Sequence, residues 1–363
     1  MAQKYALQGI HHITLVAGNA ERTARFYVET LGLDFVKKTV NFDRPDTYHL
    51  YFGDRVGTPG TLVTFFEWPD AAPGHIGVGT TRHFAMTVET EEAQLKWKRR
   101  LTDQGVRVSG PYDRKAFRSI YFTDPDGVIL EIATRGPGFG VTLNEDGVYF
   151  PPRELQRLFR NEAAIAATTW PEPITTISPD MQLHGLHHIS AMASDIERTD
   201  AFFQGVLEIP LIRKSVNFDD PSMPHWYWGL EGGRPGSVIT YFGMNNLPAG
   251  VRPTGGRLGR GMTHHFAFEV ASDDALRFWQ DRLRERGVEV TPVMDRKYFQ
   301  SVYFNDPDGH ILEIATRQPG FLIDQPVERL GKDLALPDWL EAEREEIETQ
   351  LRPIRLEREV TVR

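Results

Sequence analysis

No cysteine occurs among the 363 residues. That absence excludes a disulfide framework, a thiolate nucleophile and any cysteine-held metal, so a metal could be bound only by His, Asp or Glu. No apolar run reaches membrane-spanning length, and the opening Met-Ala-Gln-Lys-Tyr-Ala has no apolar core of the signal-peptide kind. The expectation is a cytoplasmic protein with no membrane partner. Basic residues are outnumbered, 41 against 50, for a net charge of −9. A nucleic-acid partner would favour the opposite balance. What is there, 40% hydrophobic and 25% charged, is an ordinary globular composition in a chain long enough for two domains or one duplicated domain.

The chain repeats itself. Gly9-Ile-His-His-Ile-Thr14 returns as Gly185-Leu-His-His-Ile-Ser190, and Lys37-Lys-Thr-Val-Asn-Phe-Asp43 as Arg213-Lys-Ser-Val-Asn-Phe-Asp219. Arg82-His-Phe-Ala85 returns as His264-His-Phe-Ala267, and Asp113-Arg-Lys115 as Asp295-Arg-Lys297. The interval from His83 to Glu131 and from His265 to Glu313 is the same, 48 residues, which marks a duplicated unit. Alternation and turn residues give each block one order of elements: strand, helix, three strands. In the first block the strand covers 8–17, Asn19 caps a helix to about Leu31, and strands follow near 33–42, 47–53 and 60–67. In the second, a strand at 82–89 and a helix near 91–104 precede strands near 106–112, 117–123 and 128–134. Asp124-Pro-Asp-Gly127 turns between the last two. The expected fold class is α+β, four βαβββ modules in two duplicated halves, 8–135 and 183–317. A Pro- and Gly-rich linker, 136–182, carries a helix near 153–167. A charged tail, 318–363, carries a helix from Asp338 to about Leu351 that reads as a surface or subunit-docking element.

Glutamate inside the apolar strand Ile311-Leu-Glu-Ile-Ala315 is the feature that asks for chemistry, because a bare buried carboxylate is costly. A recurrent His on one strand, another on an equivalent strand and this Glu on a later strand could converge in one cup. Two His and one carboxylate leave one side of a metal open, the arrangement that suits non-haem Fe(II) handling O2 and a substrate together. The rival reading makes the His residues hydrogen-bonded packing groups and pairs the glutamates with Arg. Simple alternation points His11 and His264 away from the metal face, so a role for them beside the ligands needs a bulge at the strand start. His49 and His225 read as pocket lining or core, and Asn41 and Asn217 as turn residues, with lining of the cup as the alternative.

On the paired His-His motifs and the duplicated order, most of residues 8–317 resembles the vicinal-oxygen-chelate (glyoxalase/bleomycin resistance/dioxygenase) superfamily, and within it the ring-cleaving dioxygenases that act on hydroquinones. The resemblance implies His12, His265 and Glu313 as ligands of Fe(II), with Mn(II) as a substitute. It places His11, His264, Thr14, Arg296 and Tyr303 in positions that contact substrate or support the ligands. It also implies a small aromatic substrate and O2 as partners, with a homo-oligomer left open. The set His83, Glu131 and His188 forms a second candidate metal site, with Arg114 and Tyr121 answering Arg296 and Tyr303. There Arg82 replaces the first histidine of the pair, and a guanidinium beside a cation disfavours metal binding. Two alternatives keep the fold. One is a glyoxalase-like isomerase or lyase, which calls for a fourth carboxylate ligand with Glu67 the nearest candidate. The other is a metal-free protein that binds aromatics.

Overall fold

The computed structural model describes residues 3–140, 147–245 and 254–356. The expected linker and tail therefore lie partly outside the described residues, at 141–146 and 357–363. The first module is β1 (Ile10–Ala17), α1 (Ala20–Arg25, continued by a π-turn over Phe26–Thr30), β2 (Asp34–Asn41), β3 (Arg44–Gly53) and β4 (Leu62–Glu67). The second is β5 (Thr81–Val88), α2 (Glu91–Asp103), β6 (Ser109–Asp113), β7 (Arg118–Thr123) and β8 (Ile129–Thr134). After β9 (Val148–Tyr149) and α3 (Glu162–Ala167) comes the third: β10 (Leu186–Ala193), α4 (Ile196–Gly205), β11 (Leu211–Val216), β12 (Pro224–Trp228) and β13 (Val238–Gly243). The fourth is β14 (Thr263–Val270), α5 (Asp273–Glu285), β15 (Met294–Asp295), β16 (Phe299–Asn305) and β17 (Ile311–Pro319), and α6 (Arg344–Gln350) lies in the tail. The architecture is the α+β one, four βαβββ modules.

Each crossover helix starts on a side chain that takes a free backbone N–H of its first turn: Asn19 from Arg22, Thr90 from Ala93, Asp195 from Glu197 and Arg198, Ser272 from Ala275. Residues four apart then bury one stripe, Ala93, Trp97 and Leu101 on α2 and Ala275, Trp279 and Leu283 on α5. These stripes pack on the convex faces of the sheets and join one continuous apolar core. Among the described residues no helix is long and apolar enough to cross a membrane.

Pairing between modules runs across the two sequence halves. One sheet has the order β15-β16-β17-β14-β1-β4-β3-β2, uniting the fourth module with the first. The other, β6-β7-β8-β5-β10-β13-β12-β11-β9, unites the second with the third. The seams are antiparallel, β1 on β14 and β5 on β10. Each curled sheet leaves a concave face, and these two cups are where the motifs meet.

Two expectations change. The helix near 153–167 is instead a 3-10 turn at Arg153–Leu155 followed by the short α3, restarted where Asn161 accepts from the Ala164 N–H. The tail docks within its own chain: Leu336, Leu340, Ile347 and Leu351 are buried in the main core, and the Ala335 N–H donates to the Lys38 carbonyl at 2.9 Å. Its apolar residues, spaced to share one side, find a partner in the first module.

Candidate metal centres

Register explains how distant residues meet. His12 on β1 pairs with Ala267 on β14, and Ala267 pairs with Glu313 on β17, so the three lie in one row across the sheet. Side chains in such a row share a face. Ala267, fully buried with only a methyl group, leaves the space over which the His12 ring and the Glu313 carboxylate approach. His265, two residues back on β14, enters from the same face. The result is a triangle of atoms: His265 Nε2 to Glu313 Oε2 2.9 Å, His12 Nε2 to Glu313 Oε2 3.2 Å, and His12 Nε2 to His265 Nε2 3.2 Å. The second cup repeats this row as His188, Ala85 and Glu131, with His83 two residues before Ala85. Its distances are 3.0 Å from His83 and 3.3 Å from His188 to Glu131 Oε2, and 3.4 Å between the two Nε2 atoms. All six side chains are buried.

The bulges required for His11 and His264 are present. Along β1, Ile10 and His12 face the consecutive residues Phe268 and Ala267, which leaves His11 as the extra residue. Along β14, Thr263 and His265 face Leu15 and Thr14, which leaves His264 as the extra one. The same irregularities single out His187 and Arg82 in the other seam. Each bulged histidine turns its Nδ1 onto the Nδ1 of its neighbour, His11 to His12 at 2.9 Å, His264 to His265 at 2.8 Å and His187 to His188 at 2.9 Å.

One tautomer follows from these contacts. Burial, then the charge of His12, holds the His11 pKa at about 3, so the ring is neutral and carries one proton. Its Nε2 lies 3.2 Å from the Thr316 carbonyl, which can only accept, so the proton sits there and Nδ1 is a lone pair. His12 then donates its Nδ1–H to His11 and turns a bare Nε2 toward Glu313 and His265. Burial would raise the Glu313 carboxyl, and it is held well below the usual carboxylate range only while positive charge lies at the His12 and His265 rings. The same holds for Glu131 beside His188 and His83, and an ion among the three would supply that charge in place of ring protons. Three lone-pair atoms at such spacing repel unless a positive charge lies between them. Both Glu313 carboxylate oxygens and Glu131 Oε2 lack hydrogen-bond partners. Three ligands about 2.1 Å from an ion, at right angles to one another, would stand about 3.0 Å apart, so the donor set fits a divalent metal.

Around each triad the surroundings are nearly matched. Arg296 donates to the Tyr303 hydroxyl at 3.3 Å and Arg114 to that of Tyr121 at 3.3 Å. Both arginines are aimed by a local device. Lys297 and Lys115 adopt left-handed backbone, φ 65° and 67°, and their N–H groups donate to Asp295 and Asp113 at 2.7 Å. A non-glycine residue there costs about 1 kcal/mol, which the Asp side chain offsets. Burial raises the Tyr303 hydroxyl far above its ordinary range, so it keeps its proton.

Thr14 stands beside the triad without entering it: its hydroxyl meets Thr64 at 2.8 Å, Thr64 meets His49 Nε2 at 3.0 Å, and His49 Nδ1 meets the Tyr51 hydroxyl at 3.0 Å. His49, with both ring nitrogens engaged, lines the cup as expected. His225 does the same opposite, between Thr240 and Tyr227. Asn41 and Asn217 line the two cups as well as accepting turn N–H groups. Glu67 is elsewhere: its carboxylate accepts the Ala20 N–H at 2.8 Å and starts α1. Sequence reasoning put Ala267 on the His265 face without giving it a role, and passed over Ala85 and also Phe299 and Phe117, which face the ligand rings. The repeated His-Phe-Ala of 83–85 and 265–267 was the available signal for the alanines.

Residues 9–132 and 185–314 match the Glyoxalase/Bleomycin resistance protein/Dioxygenase superfamily model. The chain belongs to that superfamily. Within the superfamily it is 33% identical over 353 residues to "Putative ring-cleaving dioxygenase MhqA" of Bacillus subtilis, spanning 96% of this chain and 99% of that protein. It is 30% identical over 352 residues to the chlorohydroquinone/hydroquinone 1,2-dioxygenase of Sphingobium indicum, spanning 94% and 95%. A crystal structure titled as a "putative dioxygenase" from Bacillus subtilis superposes with a TM-score of 0.75 at 30% identity, over 97% of this chain and 98% of that one.

Proposed function

We infer that this superfamily member is a metal-dependent dioxygenase that opens the ring of a hydroquinone or related dihydroxylated aromatic, with His12, His265 and Glu313 holding Fe(II) or, in its place, Mn(II). The observation that carries the reading is the His12–His265–Glu313 triangle, with its tautomer set from behind by His11 and, among the described residues, no fourth protein ligand beside it. The names of the full-length relatives supply the reaction class. A bound ion supplies the Lewis acidity and one-electron chemistry that allow a dihydroxylated ring to react with O2.

The chain's own share is position and protons. Arg296 favours the phenolate form of the ring hydroxyl, and Tyr303, kept protonated, donates to a ring oxygen. His264 has its pKa lowered to about 3, by burial and then by His265. It is therefore neutral and a weak base, and with Nδ1 engaged by His265 its half-buried ring offers Nε2–H as a hydrogen-bond donor. Phe299, Phe66 and Phe42 present apolar faces to the ring and keep water out. The free space in this cup is only about 20 Å³, room for one water. Ring entry requires Phe42 to swing, and with it the half-exposed Trp339 that packs edge-on against it at 5.6 Å.

The test is oxygen uptake by anaerobically purified protein loaded with Fe(II) or Mn(II), across a panel of hydroquinones and catechols. The reading expects one O2 consumed per ring opened, and loss of turnover in Glu313→Gln. Isomerase turnover without oxygen uptake, or aromatic binding with no turnover in any metal form, contradicts it.

A further inference from the structure

We propose that His83, His188 and Glu131 form a second, independent metal centre, and that its cup takes a dihydroxylated monocyclic aromatic bearing an anionic substituent. Four observations carry this. The triad closes nearly as tightly as the first, with donor atoms 3.0 to 3.4 Å apart and all three residues buried. Glu131 is oriented for it: Ser119 donates to Oε1 at 2.5 Å, which leaves Oε2 as the oxygen facing the two imidazoles, without a hydrogen-bond partner. A buried carboxylate held on one oxygen and left bare on the other is what a ligand position looks like before its ion is counted.

Space is the third observation. The cavity beside this triad is about 250 Å³, against about 20 Å³ beside the first. An apolar cavity of about 150 Å³ holds a benzene ring, so this one has room for a ring and a substituent. Phe117, Phe242 and Tyr227 supply apolar walls, and Tyr121 and Arg114 repeat the polar pair of the first cup.

Charge is the fourth. Arg82 takes the bulge position that His264 holds in the other cup, lines the cavity and lies over the Phe242 ring at 5.4 Å. It forms no ion pair among the described residues. Exposed beside Phe242 and lining the cavity, it is a guanidinium that a carboxylate on the ring would pair with, and that pairing would offset its repulsion of an ion at the triad. Among the described residues the first cup has no such unpaired cation, since Arg296 faces Asp43 at 3.3 Å.

The experiment uses the full chain, stripped with a chelator and reloaded anaerobically with Fe(II). Metal analysis should find two ions per wild-type chain, one in Glu131→Gln, one in Glu313→Gln and none in the double variant, each checked for folding by circular dichroism. The Fe(II)-loaded Glu313→Gln protein should bind 2,5-dihydroxybenzoate at least tenfold more tightly than hydroquinone, and Arg82→Gln in that background should abolish the preference. One ion per wild-type chain that is lost in Glu313→Gln overturns the proposal without recourse to any second-cup variant. So does an Fe(II)-loaded Glu313→Gln protein that binds neither ring, or a preference that survives Arg82→Gln. Two ions with no ring opening would remove the function proposed above and leave this centre standing, whereas one ion, lost in Glu313→Gln, with ring opening would do the reverse.

Discussion

Replacing His11 with phenylalanine tests the tautomer argument on which metal binding in the first cup depends. The variant keeps a ring of similar outline beside Phe299, whose centroid is 5.1 Å away. It removes the acceptor 2.9 Å from His12 Nδ1 and the donor 3.2 Å from the Thr316 carbonyl. The His12 proton then has two places. On Nδ1 it is a buried donor with no partner, which costs about 1–3 kcal/mol. On Nε2 it occupies the position the ion needs. Either way metal binding weakens, and losing a supporting hydrogen bond of this kind costs about 10- to 100-fold in affinity, or about 1.4–2.7 kcal/mol. Competition with a chromophoric chelator, under anaerobic conditions and with the fold checked by circular dichroism, reads this directly. His187→Phe is the built-in comparison: His187 Nε2 has no hydrogen-bond partner, so that ring fixes its neighbour's tautomer less firmly and its loss should matter less. A His11→Phe protein that binds metal within twofold of wild type would refute the reasoning.

Adding two methyl groups at Ala267, between His12 and Glu313 in the strand row, should destabilise the fold by about 1–3 kcal/mol and weaken metal binding at least tenfold, measured by urea unfolding and chelator competition. Lys98 Nζ donates to four carbonyls, Gly110 at 2.6 Å, Ile165 and Ala166 at 3.0 Å and Thr168 at 2.7 Å, tying the end of α3 to α2. Lys98→Met strands those acceptors, so a loss of about 2–4 kcal/mol is expected, with faster amide exchange confined first to 162–168. His310 has its pKa lowered to about 3, by burial and then by His265. The unfolded chain binds that proton near pH 6.5, so the contribution is whole above 6.5 and is lost as pH falls toward 3, about 1.4 kcal/mol by pH 5.5. His310→Gln should flatten the decline in unfolding free energy between pH 7.5 and 5.5, and an unchanged slope would contradict the assignment. Trp339→Ala should lower KM for ring substrates at the first cup with little change in stability, because the side chain is half exposed and holds Phe42 in place.

The modules were legible along the chain because each is a local pattern: alternation in the strands, a cap such as Asn19 before a helix, Asp-Pro-Asp-Gly at the last turn. So was the duplication, through the equal His-to-Glu intervals. Partnership between modules was not, since nothing local in His12 says that its neighbour across the seam is Ala267, some 250 residues away. The His11 and His264 difficulty had the same root: a bulge is a property of two paired strands, and one strand read alone cannot show it. The unequal cups depend on segments outside the modules, such as Trp339 of the tail edge-on to Phe42 in one and Arg160 of the linker over Tyr112 in the other. The tail helix read as a surface or subunit-docking element because the first module, on which Leu340, Ile347 and Leu351 pack, is some 300 residues away along the chain.

Diffraction from Fe(II)-loaded crystals, collected on both sides of the iron absorption edge, tests the centre itself. The account predicts an anomalous peak about 2.1 Å from His12 Nε2, His265 Nε2 and one Glu313 oxygen. Iron-loaded, ring-opening protein with no peak between those three atoms would contradict it.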